Sequence, residues 1–275
     1  HLVVSLLQPN LHLFDKRDVG KTKQITSDLI STSNQKYITS DLVVWPESSY
    51  PYYIDLDIEP SRMIYPPKGK FLLFGSVIED NKNRFNSSVL MDDKGLIETY
   101  DKQQLVPIVE YIPFSQKYDL GLAPFSKGNR DVIFDVNGFN FISLVCFEST
   151  FPEINRRHVN SSQGVDALVY VVNDGWYESP PEPQQHAKQS IYRSIENRRP
   201  VLRCANTGLT MYISPTGEII DMVDLNKKGS IDNIKIYKND YKTFYTRYGN
   251  VFALILLIIN IGFIIKAYFK NEKTI

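Results

Sequence analysis

Short apolar segments rich in β-branched residues recur along the chain and constrain its fold more than any other feature. Several are continuous apolar runs rather than alternations, which predicts strands covered on both faces of a sheet. Two turn sequences, MDDKGLI and SPTGEI, predict hairpins because a glycine follows polar turn formers. The predicted strand segments are 2–7, 41–47, 70–79, 86–101, 140–148, 166–174 and 209–223.

A helical segment separates two of the predicted strands. Residues 184–199 place Ala187, Ile191 and Ile195 four residues apart on one expected apolar face, and Pro200 ends the run. Strands interleaved with helices, without repeats or low-complexity linkers, predict a single layered α/β domain. We expect this domain to cover residues 1–245.

The C-terminal segment has a different character. Residues 251–268 carry no charge until Lys266, and Asn260 alone interrupts the apolar run. This length and composition predict a transmembrane helix within residues 246–275. Lys266, Lys270 and Lys273 favour a cytoplasmic tail, although Lys242 and Arg247 on the other side weaken the charge argument.

The beginning of the sequence suggests a larger protein. The chain enters a predicted buried strand at once, without an initiating methionine or a signal peptide. A domain placed outside the cytoplasm needs an upstream element that directs it there. We therefore expect this chain to be the C-terminal part of a longer membrane protein.

Bulk composition excludes some classes of function. The 275 residues hold 31 basic and 31 acidic side chains, a balance that argues against nucleic acid as a partner. The four histidines show no metal-ligand spacing with the cysteines, and no phosphate-binding glycine loop is present, so neither a metal nor a cofactor is expected. The two cysteines, Cys146 and Cys204, could form one disulfide, be two buried thiols, or be one buried and one reactive thiol.

Three chemically useful side chains each follow a predicted strand, where α/β folds collect their chemistry. Glu47, Lys102 and Cys146 lie at these positions. A cysteine attacks a carbonyl as its thiolate, so it needs a base or a nearby positive charge. A partly buried Glu47 can take the proton, and Lys102 can stabilise the thiolate and the developing oxyanion. Taken singly, each residue also fits an ordinary structural place: a solvated loop acid, a surface lysine and a small core residue.

The motifs around these residues resemble the nitrilase superfamily. WPE at 45–47, YDK at 100–102 with EYIPF at 110–114, and VCFE at 145–148 occur in the order of its Glu, Lys and Cys. Within the superfamily the chain resembles the apolipoprotein N-acyltransferases over nearly its whole length. The segments that carry this closer resemblance are VNDGWY, QHAKQSIYRSIENRRPVLRCANTGLT and TRYGN before the apolar run.

The resemblance implies a role for each matching residue. Glu47 matches the general base, Lys102 the oxyanion-stabilising lysine and Cys146 the nucleophile. Glu110 matches a second essential acid, and Glu148 matches the acid two residues after the nucleophile.

Three neighbouring residues are expected to contact substrate. Phe147, whose backbone N–H is expected to join the oxyanion hole, stands where the family often has a tyrosine. Tyr111 and Trp176 are expected to line the substrate groove, and ordinary core packing remains an alternative for Trp176. For Glu148, the alternatives are orienting the active-site loop or pairing with Arg156 or Arg157.

The resemblance also implies a fold and an activity. The fold is an α-β-β-α sandwich followed by one transmembrane helix, with further membrane helices upstream of residue 1. The activity is transfer of a fatty acyl chain from a membrane phospholipid, through a cysteine thioester, to the N-terminal diacylglyceryl-cysteine of lipoproteins. The location is the bacterial inner membrane, with the catalytic domain facing the periplasm.

Two other classes stay open on the sequence. One is a membrane-tethered amidase that uses the same three residues to hydrolyse small amides or nitriles. The other is an interaction domain that keeps the fold without the chemistry.

Overall fold

The structure is a computed structural model that describes residues 1–12, 15, 19–55, 64–80, 83–111, 125–176 and 180–272. Lys273 of the predicted tail lies outside the described residues, as do Tyr177 and the segment 112–114 from the motifs above. Side chains at 19 and 269–272 are also outside the description, so no contact of Lys270 is considered.

The first sheet is mixed and has seven strands within the described part of the chain. Its strands are β1 (Leu2–Gln8), β2 (Leu42–Val44), β3 (Ile54–Asp55), β4 (Phe71–Asp80), β5 (Asn83–Asp92), β6 (Gly95–Asp101) and β13 (Gly229–Ile236). Their order is β13-β1-β2-β4-β5-β6, with β3 paired to β4. The pairs β1–β2, β2–β4 and β3–β4 are parallel, and the remaining neighbours are antiparallel.

The second sheet has six described strands. They are β7 (Phe134–Val136), β8 (Phe139–Val145), β9 (Ala167–Val172), β10 (Val201–Ala205), β11 (Thr210–Ile213) and β12 (Ile219–Val223). Their order is β12-β11-β10-β9-β8-β7. The central strands β8, β9 and β10 are parallel, as expected for strands buried on both faces. All six residues of β9 are buried.

The two sheets pack face to face, and helices cover their outer faces. The helix α1 (Val19–Lys36) packs Ile25 and Leu29 on the first sheet in a cluster that includes Trp45. The helices α2 (Pro152–Val159) and α3 (Glu182–Asn197) cover the second sheet. This arrangement confirms the predicted α-β-β-α sandwich.

Polar side chains join the two sheets inside the sandwich. Ser88 on β5 and Ser143 on β8 are buried and share a hydrogen bond of 2.7 Å between their hydroxyl oxygens. The Cys204 thiol on β10 donates to the carbonyl oxygens of Leu7 and Val44 in the first sheet, at 3.2 and 3.3 Å. Cys204 is fully buried and, like Cys146, is a free thiol, so the two cysteines form no disulfide.

The structure corrects the predicted face of the helix at 184–199. Ala187 is buried, but Ile195 is 41% exposed and Ile191 only partly buried. The buried face of α3 consists mainly of polar residues, such as His186, Ser194 and Asn197, which form hydrogen bonds inside the protein. An apolar pattern cannot reveal such a face. The buried residues are Pro183, His186, Ala187, Ser190, Arg193, Ser194 and Asn197.

The C-terminal part contains a short helix and a long one. The helix α4 (Phe244–Tyr248) is N-capped by Thr243 and is fixed to α3 by Thr246, whose hydroxyl donates to Asn197 Oδ1 at 3.2 Å. The helix α5 (Val251–Glu272) has the length and composition of a membrane span over Val251–Tyr268, and no residue of this window is buried. The predicted boundary after residue 245 falls inside α4 and remains a prediction.

The single polar residue of the apolar run is satisfied within its own helix. Asn260 Nδ2 donates to the carbonyl oxygen of Leu256, one turn earlier, at 2.7 Å. Because an unpaired amide is costly in hydrocarbon, this bond makes the side chain tolerable in a bilayer.

Candidate active site

The three predicted side chains stand where strands of the two sheets end. Glu47 follows β2, Lys102 comes directly after β6, and Cys146 comes directly after β8. Glu47 and Lys102 are buried, whereas Cys146 is partly exposed. The sandwich therefore brings two charged groups from one sheet and a thiol from the other to the same end of the fold.

Lys102 lies between two carboxylates. Its Nζ is 2.8 Å from Glu110 Oε1 and 3.8 Å from Glu47 Oε1, and the lysine is only 1% exposed. Burial lowers the pKa of Lys102, but the charges of Glu47 and Glu110, together with that of Cys146 when it is a thiolate, outweigh burial and raise this pKa overall. The lysine is consequently a permanent ammonium at neutral pH.

Asn86 on β5 bonds to both carboxylates and so fixes their positions relative to each other. Its Nδ2 donates to Glu47 Oε1 at 2.7 Å and to Glu110 Oε1 at 2.8 Å. Glu110 Oε2 accepts the backbone N–H of Val106 at 2.7 Å. Within the described part of the chain, no hydrogen bond reaches Glu47 Oε2, although it is buried. Glu47 therefore has one anchored oxygen and one oxygen without a donor.

Close backbone approach at Glu47 depends on a glycine in β4. A Cβ atom at Gly75 would lie 2.4 Å from the Cα of Glu47, which is closer than atoms can pack. Ser48, the next residue, has a positive φ of 51°. The chain at Glu47 is thus pressed against β4 and turned sharply, which directs the carboxylate towards Asn86.

Cys146 occupies a strained turn between a strand and a helix. Its φ is +51°, a left-handed conformation that costs energy for a residue with a side chain. It begins a short 3-10 helix, Cys146–Thr150. Burial of the sulfur and the charge of Glu47 raise the pKa of the Cys146 thiol, while Lys102 and a hydrogen bond from the Asn173 backbone lower it; the net direction is upward. The resting thiol therefore keeps its proton and needs a base.

Glu148 connects the lysine loop with the cysteine turn. Its Oε1 accepts the backbone N–H groups of Gln103 and Gln104 at 2.7 and 3.0 Å and the Tyr100 hydroxyl at 2.8 Å. Its Oε2 accepts the N–H of Val145, the residue before Cys146, at 2.9 Å. Burial raises the pKa of Glu148 overall, although these donors lower it.

The alternative arginine partners of Glu148 are engaged elsewhere. Arg156 pairs with Glu153 at 2.9 Å, and Arg157 pairs with Asp131 at 2.6 Å. Glu148 is fully buried and its bonds tie together two segments that carry reactive groups. The structure thus agrees with an orienting position for this carboxylate.

The residues expected to contact substrate lie on exposed or half-exposed surface. Trp176 is 56% exposed, Tyr111 is exposed next to Glu110, and the neighbouring Ile108 is 71% exposed. Phe147 is partly buried, and its ring meets Phe151 edge-on with centroids 5.0 Å apart. These positions do not support core packing for Trp176 and leave a substrate role for the three residues as a prediction.

A second polar network beside Cys146 was missing from the sequence-based prediction. Asp174 Oδ1 lies 2.7 Å from His186 Nδ1, and Asp174 Oδ2 accepts from Arg203 Nη2 at 2.7 Å. His186 Nε2 lies 3.0 Å from Ser149 Oγ and 3.2 Å from the carbonyl oxygen of Cys146. All of these side chains are buried.

The network crosses three elements, so no local pattern could have revealed it. Asp174 follows β9, His186 lies on α3, and Arg203 lies in the middle of β10. The best available signal was a charged residue inside the otherwise apolar strand VLRCA, because a buried arginine requires an anionic partner. A glycine is also required nearby, since a Cβ at Gly208 would lie 2.1 Å from Asp174 Oδ2.

The same cluster contains residue types that bind metal ions, but a positive charge beside it disfavours a metal. Cys146, Asp174 and His186 each bring one ligand-type atom within 4.8 Å of the others. Arg203 Nη2, however, donates to Asp174 and lies 3.3 Å from His186 Nδ1. A permanent cation in contact with two of the three groups disfavours a metal ion. We interpret the cluster as a hydrogen-bond network.

Comparisons with known proteins agree on a family and a fold. The family model described as carbon-nitrogen hydrolase matches residues 4–236. Among solved structures, a CN-hydrolase superfamily protein from Xanthomonas campestris with an arsenic adduct in its active site superposes with a TM-score of 0.64 at 17% identity, covering 85% of this chain and 90% of that one. A mutant amidase from Nesterenkonia sp. AN1, with acrylamide added to its active-site cysteine, gives a TM-score of 0.62 at 15% identity, covering 84% and 91%.

Curated relatives with higher sequence identity share one name. A protein named apolipoprotein N-acyltransferase from Geobacter metallireducens is 35% identical over 231 residues, covering 78% of this chain and 43% of that protein. Proteins of the same name from Brucella suis and Aquifex aeolicus are both 30% identical, covering 84% and 83% of this chain and 47% and 53% of the relatives. The chain thus spans about half the length of these relatives.

Proposed function

The chain belongs to the carbon-nitrogen hydrolase family, and on this premise we propose that it is the catalytic part of an apolipoprotein N-acyltransferase. It transfers an acyl chain from a membrane phospholipid to the α-amino group of the diacylglyceryl-cysteine at a lipoprotein N-terminus. The relatives that share this name and the candidate span after the catalytic layers support the proposal.

The observation that carries the catalytic part of the proposal is the unbonded oxygen of Glu47. A buried carboxylate oxygen without a donor calls for an explanation, and a proton-accepting role supplies one. Asn86 fixes the other oxygen, so the free one is held in place to receive a proton. The Cys146 thiol, which keeps its proton at rest, is the proposed source.

In the first half-reaction, Glu47 takes the Sγ proton and the thiolate attacks the ester carbonyl carbon of the phospholipid. Lys102 and the backbone N–H of Phe147 stabilise the oxyanion of the tetrahedral intermediate. Loss of one such donor typically raises the barrier by about 3–4 kcal/mol. The intermediate collapses by breaking the ester C–O bond, Glu47 returns the proton to the leaving alcohol, and lysophospholipid departs from a thioester at Cys146.

In the second half-reaction, the lipoprotein α-amine attacks the thioester carbonyl. Glu47 accepts a proton from the attacking nitrogen, the C–S bond breaks, and the proton returns to Cys146. The product is an amide, and the enzyme is restored without a metal or cofactor. Glu110 keeps Lys102 in position, Glu148 holds the two catalytic segments together, and Tyr111, Phe147 and Trp176 contact the lipid chains.

Both substrates are anchored in a bilayer, so we place the enzyme in the bacterial inner membrane with its catalytic layers on the periplasmic side. Holding donor and acceptor in one membrane plane supplies part of the proximity advantage. The alternative function is that of a membrane-tethered amidase, in line with the amidases of similar fold. Such an enzyme would hydrolyse the same type of thioester with water.

Intact mass spectrometry of the full-length protein distinguishes these functions. After incubation with phosphatidylethanolamine, the wild type is expected to gain one acyl mass, Cys146→Ser is expected to gain none, and a diacylated lipopeptide is expected to discharge the adduct. The buried thiol provides a matched control, because Cys204→Ser is expected to keep the adduct. Hydrolysis of small amides without an acyl adduct would instead establish the amidase.

A further inference from the structure

Exposed aromatic side chains surround the short helix α4, and the proposed reaction assigns them no task. Phe244 and Tyr248 are 61% and 59% exposed, and their ring centroids lie 4.8 Å apart. Tyr241 before α4 and Phe252 at the start of α5 are exposed as well. Monomeric soluble proteins rarely expose large contiguous apolar patches, and such patches mark surfaces that bind a partner or a membrane.

The exposed side of α4 also carries a positive charge. Phe244, Arg247 and Tyr248 are spaced so that they share one face of the helix, and all three are exposed. We call these three residues the α4 face. No acidic residue occurs between positions 241 and 252. Aromatic side chains are enriched where one side of a layer is apolar and the other is wet, and the arginine suits the phosphates of that layer.

The α4 face stands close to the beginning of the candidate span. The apolar window starts at Val251, and α4 ends at Tyr248. A chain advances at most about 3.6 Å per residue, so the Cα atoms of these two residues lie within roughly 11 Å of each other. The polar headgroup layer extends about 5–8 Å beyond each side of the hydrocarbon. With α5 in a bilayer, Tyr248 therefore lies in the headgroup layer or at its edge.

The buried side of α4 is bonded to the two helices that cover the second sheet. Thr246 donates to Asn197 on α3 at 3.2 Å, and the Thr243 hydroxyl donates to the Glu196 carbonyl oxygen at 2.6 Å. Arg156 on α2 donates to the Thr246 carbonyl oxygen at 3.3 Å. A surface that holds the α4 face consequently holds the two-sheet domain as well.

The contacts along α2 give α4 a direction. Lys242, before α4, donates to the carbonyl oxygen of Asn160, the residue after α2, at 2.9 Å. Gly249, after α4, packs against Arg156, one turn before that end of α2. The chain therefore runs back along α2, whose first residue follows the Cys146 turn, before α5 begins. The first turn of α5 lies on the side of α4 that faces the Cys146 end of the sandwich.

We propose that the α4 face binds the phospholipid headgroup layer and fixes the orientation of the two-sheet domain on the bilayer. The rings of Phe244 and Tyr248 lie among the glycerol and headgroup atoms, and Arg247 pairs with lipid phosphate. The inference rests on the proposed function only for the crossing of the bilayer by α5. It gives the domain a second attachment to the membrane, beside the span itself.

The test measures how close fluorescent labels on the protein lie to lipid. Full-length Cys146→Ser protein is reconstituted in vesicles of phosphatidylethanolamine and phosphatidylglycerol, and a nitrobenzoxadiazole label is attached to one introduced cysteine at a time. The substitutions are Tyr248→Cys on the α4 face, Ile258→Cys in the apolar window and Lys94→Cys as the control, all at exposed positions. The quencher is a phospholipid with a spin label on its headgroup or on its acyl chain. The parent without an introduced cysteine supplies the background.

Each label has its own expected result. The label in Tyr248→Cys is expected to lose most of its fluorescence to the headgroup quencher, and the label in Ile258→Cys to the acyl-chain quencher. Lys94 is separated from Lys102 by the whole of β6, so it lies away from the Cys146 end of the sandwich. Its label is expected to keep its fluorescence with both lipids.

The label in Ile258→Cys separates failure of the inference from failure of the span. A label in Tyr248→Cys that neither lipid quenches, beside a quenched label in Ile258→Cys, would overturn the proposal and leave the span in place. Blue-shifted emission from the Tyr248→Cys label without quenching would show that protein covers the α4 face, which also overturns it. The Cys146→Ser background forms no acyl adduct, so none of these results depends on acyl transfer.

Discussion

At the scale of single residues, Glu148 is a buried carboxylate that connects the segment carrying Lys102 with the segment carrying Cys146. It accepts bonds from the residues that follow Lys102 and from the residue that precedes Cys146. Hydrogen bonds to a charged acceptor contribute roughly 1.5–3 kcal/mol each, so the set resists displacement of either loop. The orientation of Lys102 relative to Cys146 therefore depends on a residue between the two sheets.

Two substitutions test the hydrogen bonds of Glu148 at different strengths, one by removing a single donor and the other by changing the carboxylate itself. Tyr100→Phe removes one hydroxyl donor and is expected to lower the free energy of unfolding by roughly 1.5–3 kcal/mol while acyl-adduct formation continues, because the backbone donors remain. Glu148→Gln turns an amide NH₂ towards groups that also donate, so it is expected to abolish the adduct and destabilise the fold further. Denaturation curves and intact mass measure both effects. Wild-type adduct formation in Glu148→Gln would contradict the anchoring role.

The predictability of the site differs from residue to residue. Glu47, Lys102 and Cys146 stand in short, recognisable motifs at strand ends, Glu110 lies in the loop after Lys102, and the structure brings the four residues close together. His186 could not be identified in the same way, because its partners come from a strand end and a turn far away in sequence. Buried charged pairs formed across elements leave little trace in any local pattern.

At the level of elements, continuous apolar runs in the sequence were a good predictor of strands. Segments in which polar residues interrupt the apolar pattern were a poor predictor. The seven predicted strand segments all contain observed strands, whereas the two short strands β3 and β7 and the longer strands β10 and β13 were not predicted. Arg203 interrupts the apolar pattern of β10, and charged residues alternate with isoleucines in β13. The face of α3 was wrong for a related reason, since polar side chains are buried there at the expense of Ile195.

The end of α1 is joined to β13 by an ion pair whose strength depends on pH. Lys36 Nζ lies 2.6 Å from Asp232 Oδ2. Burial raises the pKa of Asp232, but hydrogen bonds from Lys36, Ser5 and Ser230 lower it more, so the folded pKa lies below that of an aspartate in the unfolded chain. The native state thus binds fewer protons than the unfolded state near that pH. The stabilisation is present above the unfolded pKa and is lost as the pH falls through the folded one.

Asp232→Asn is therefore expected to reduce stability at neutral pH and not in acid. The loss at pH 7 should be about 0.5–1 kcal/mol, because both side chains are partly exposed. Thermal midpoints at pH 7 and pH 3 measure it, and the difference between variant and wild type should shrink at the lower pH. Asp224→Asn, which removes an exposed pair with Lys227, serves as the control with little change. A constant difference at both pH values would contradict the assignment.

At the scale of the whole molecule, the two-sheet domain and the candidate span α5 are joined by a short connection. Only Gly249 and Asn250 separate α4 from α5, and Thr246 secures α4 to the end of α3. Gly249 packs so tightly that a Cβ there would lie 3.1 Å from Arg156 Nε. With this short connection, the site cannot move far from the first turn of α5.

The proposed orientation can be tested with one introduced thiol. Lys94 is exposed in the β5–β6 hairpin, and Cys204 is buried, so Lys94→Cys combined with Cys146→Ser leaves a single accessible thiol in this chain. A membrane-impermeant maleimide is expected to label it in cells whose outer membrane alone is permeabilised. Lys270→Cys in the same background, in the predicted cytoplasmic tail, is expected to react only after lysis. The reverse pattern would place the catalytic layers in the cytoplasm.

The hydrogen bonds from Cys204, on the second sheet, to the first sheet make modification of this thiol a measure of how often the sandwich opens. Its sulfur bonds to Leu7 and Val44 across the inter-sheet core, and burial raises its pKa. A reagent can reach it only after the two sheets separate, so its rate of modification in native buffer reports how often they do. The two thiols of the chain therefore report different events. Modification of Cys146 reports the proposed chemistry, whereas modification of Cys204 reports the rare openings of the fold.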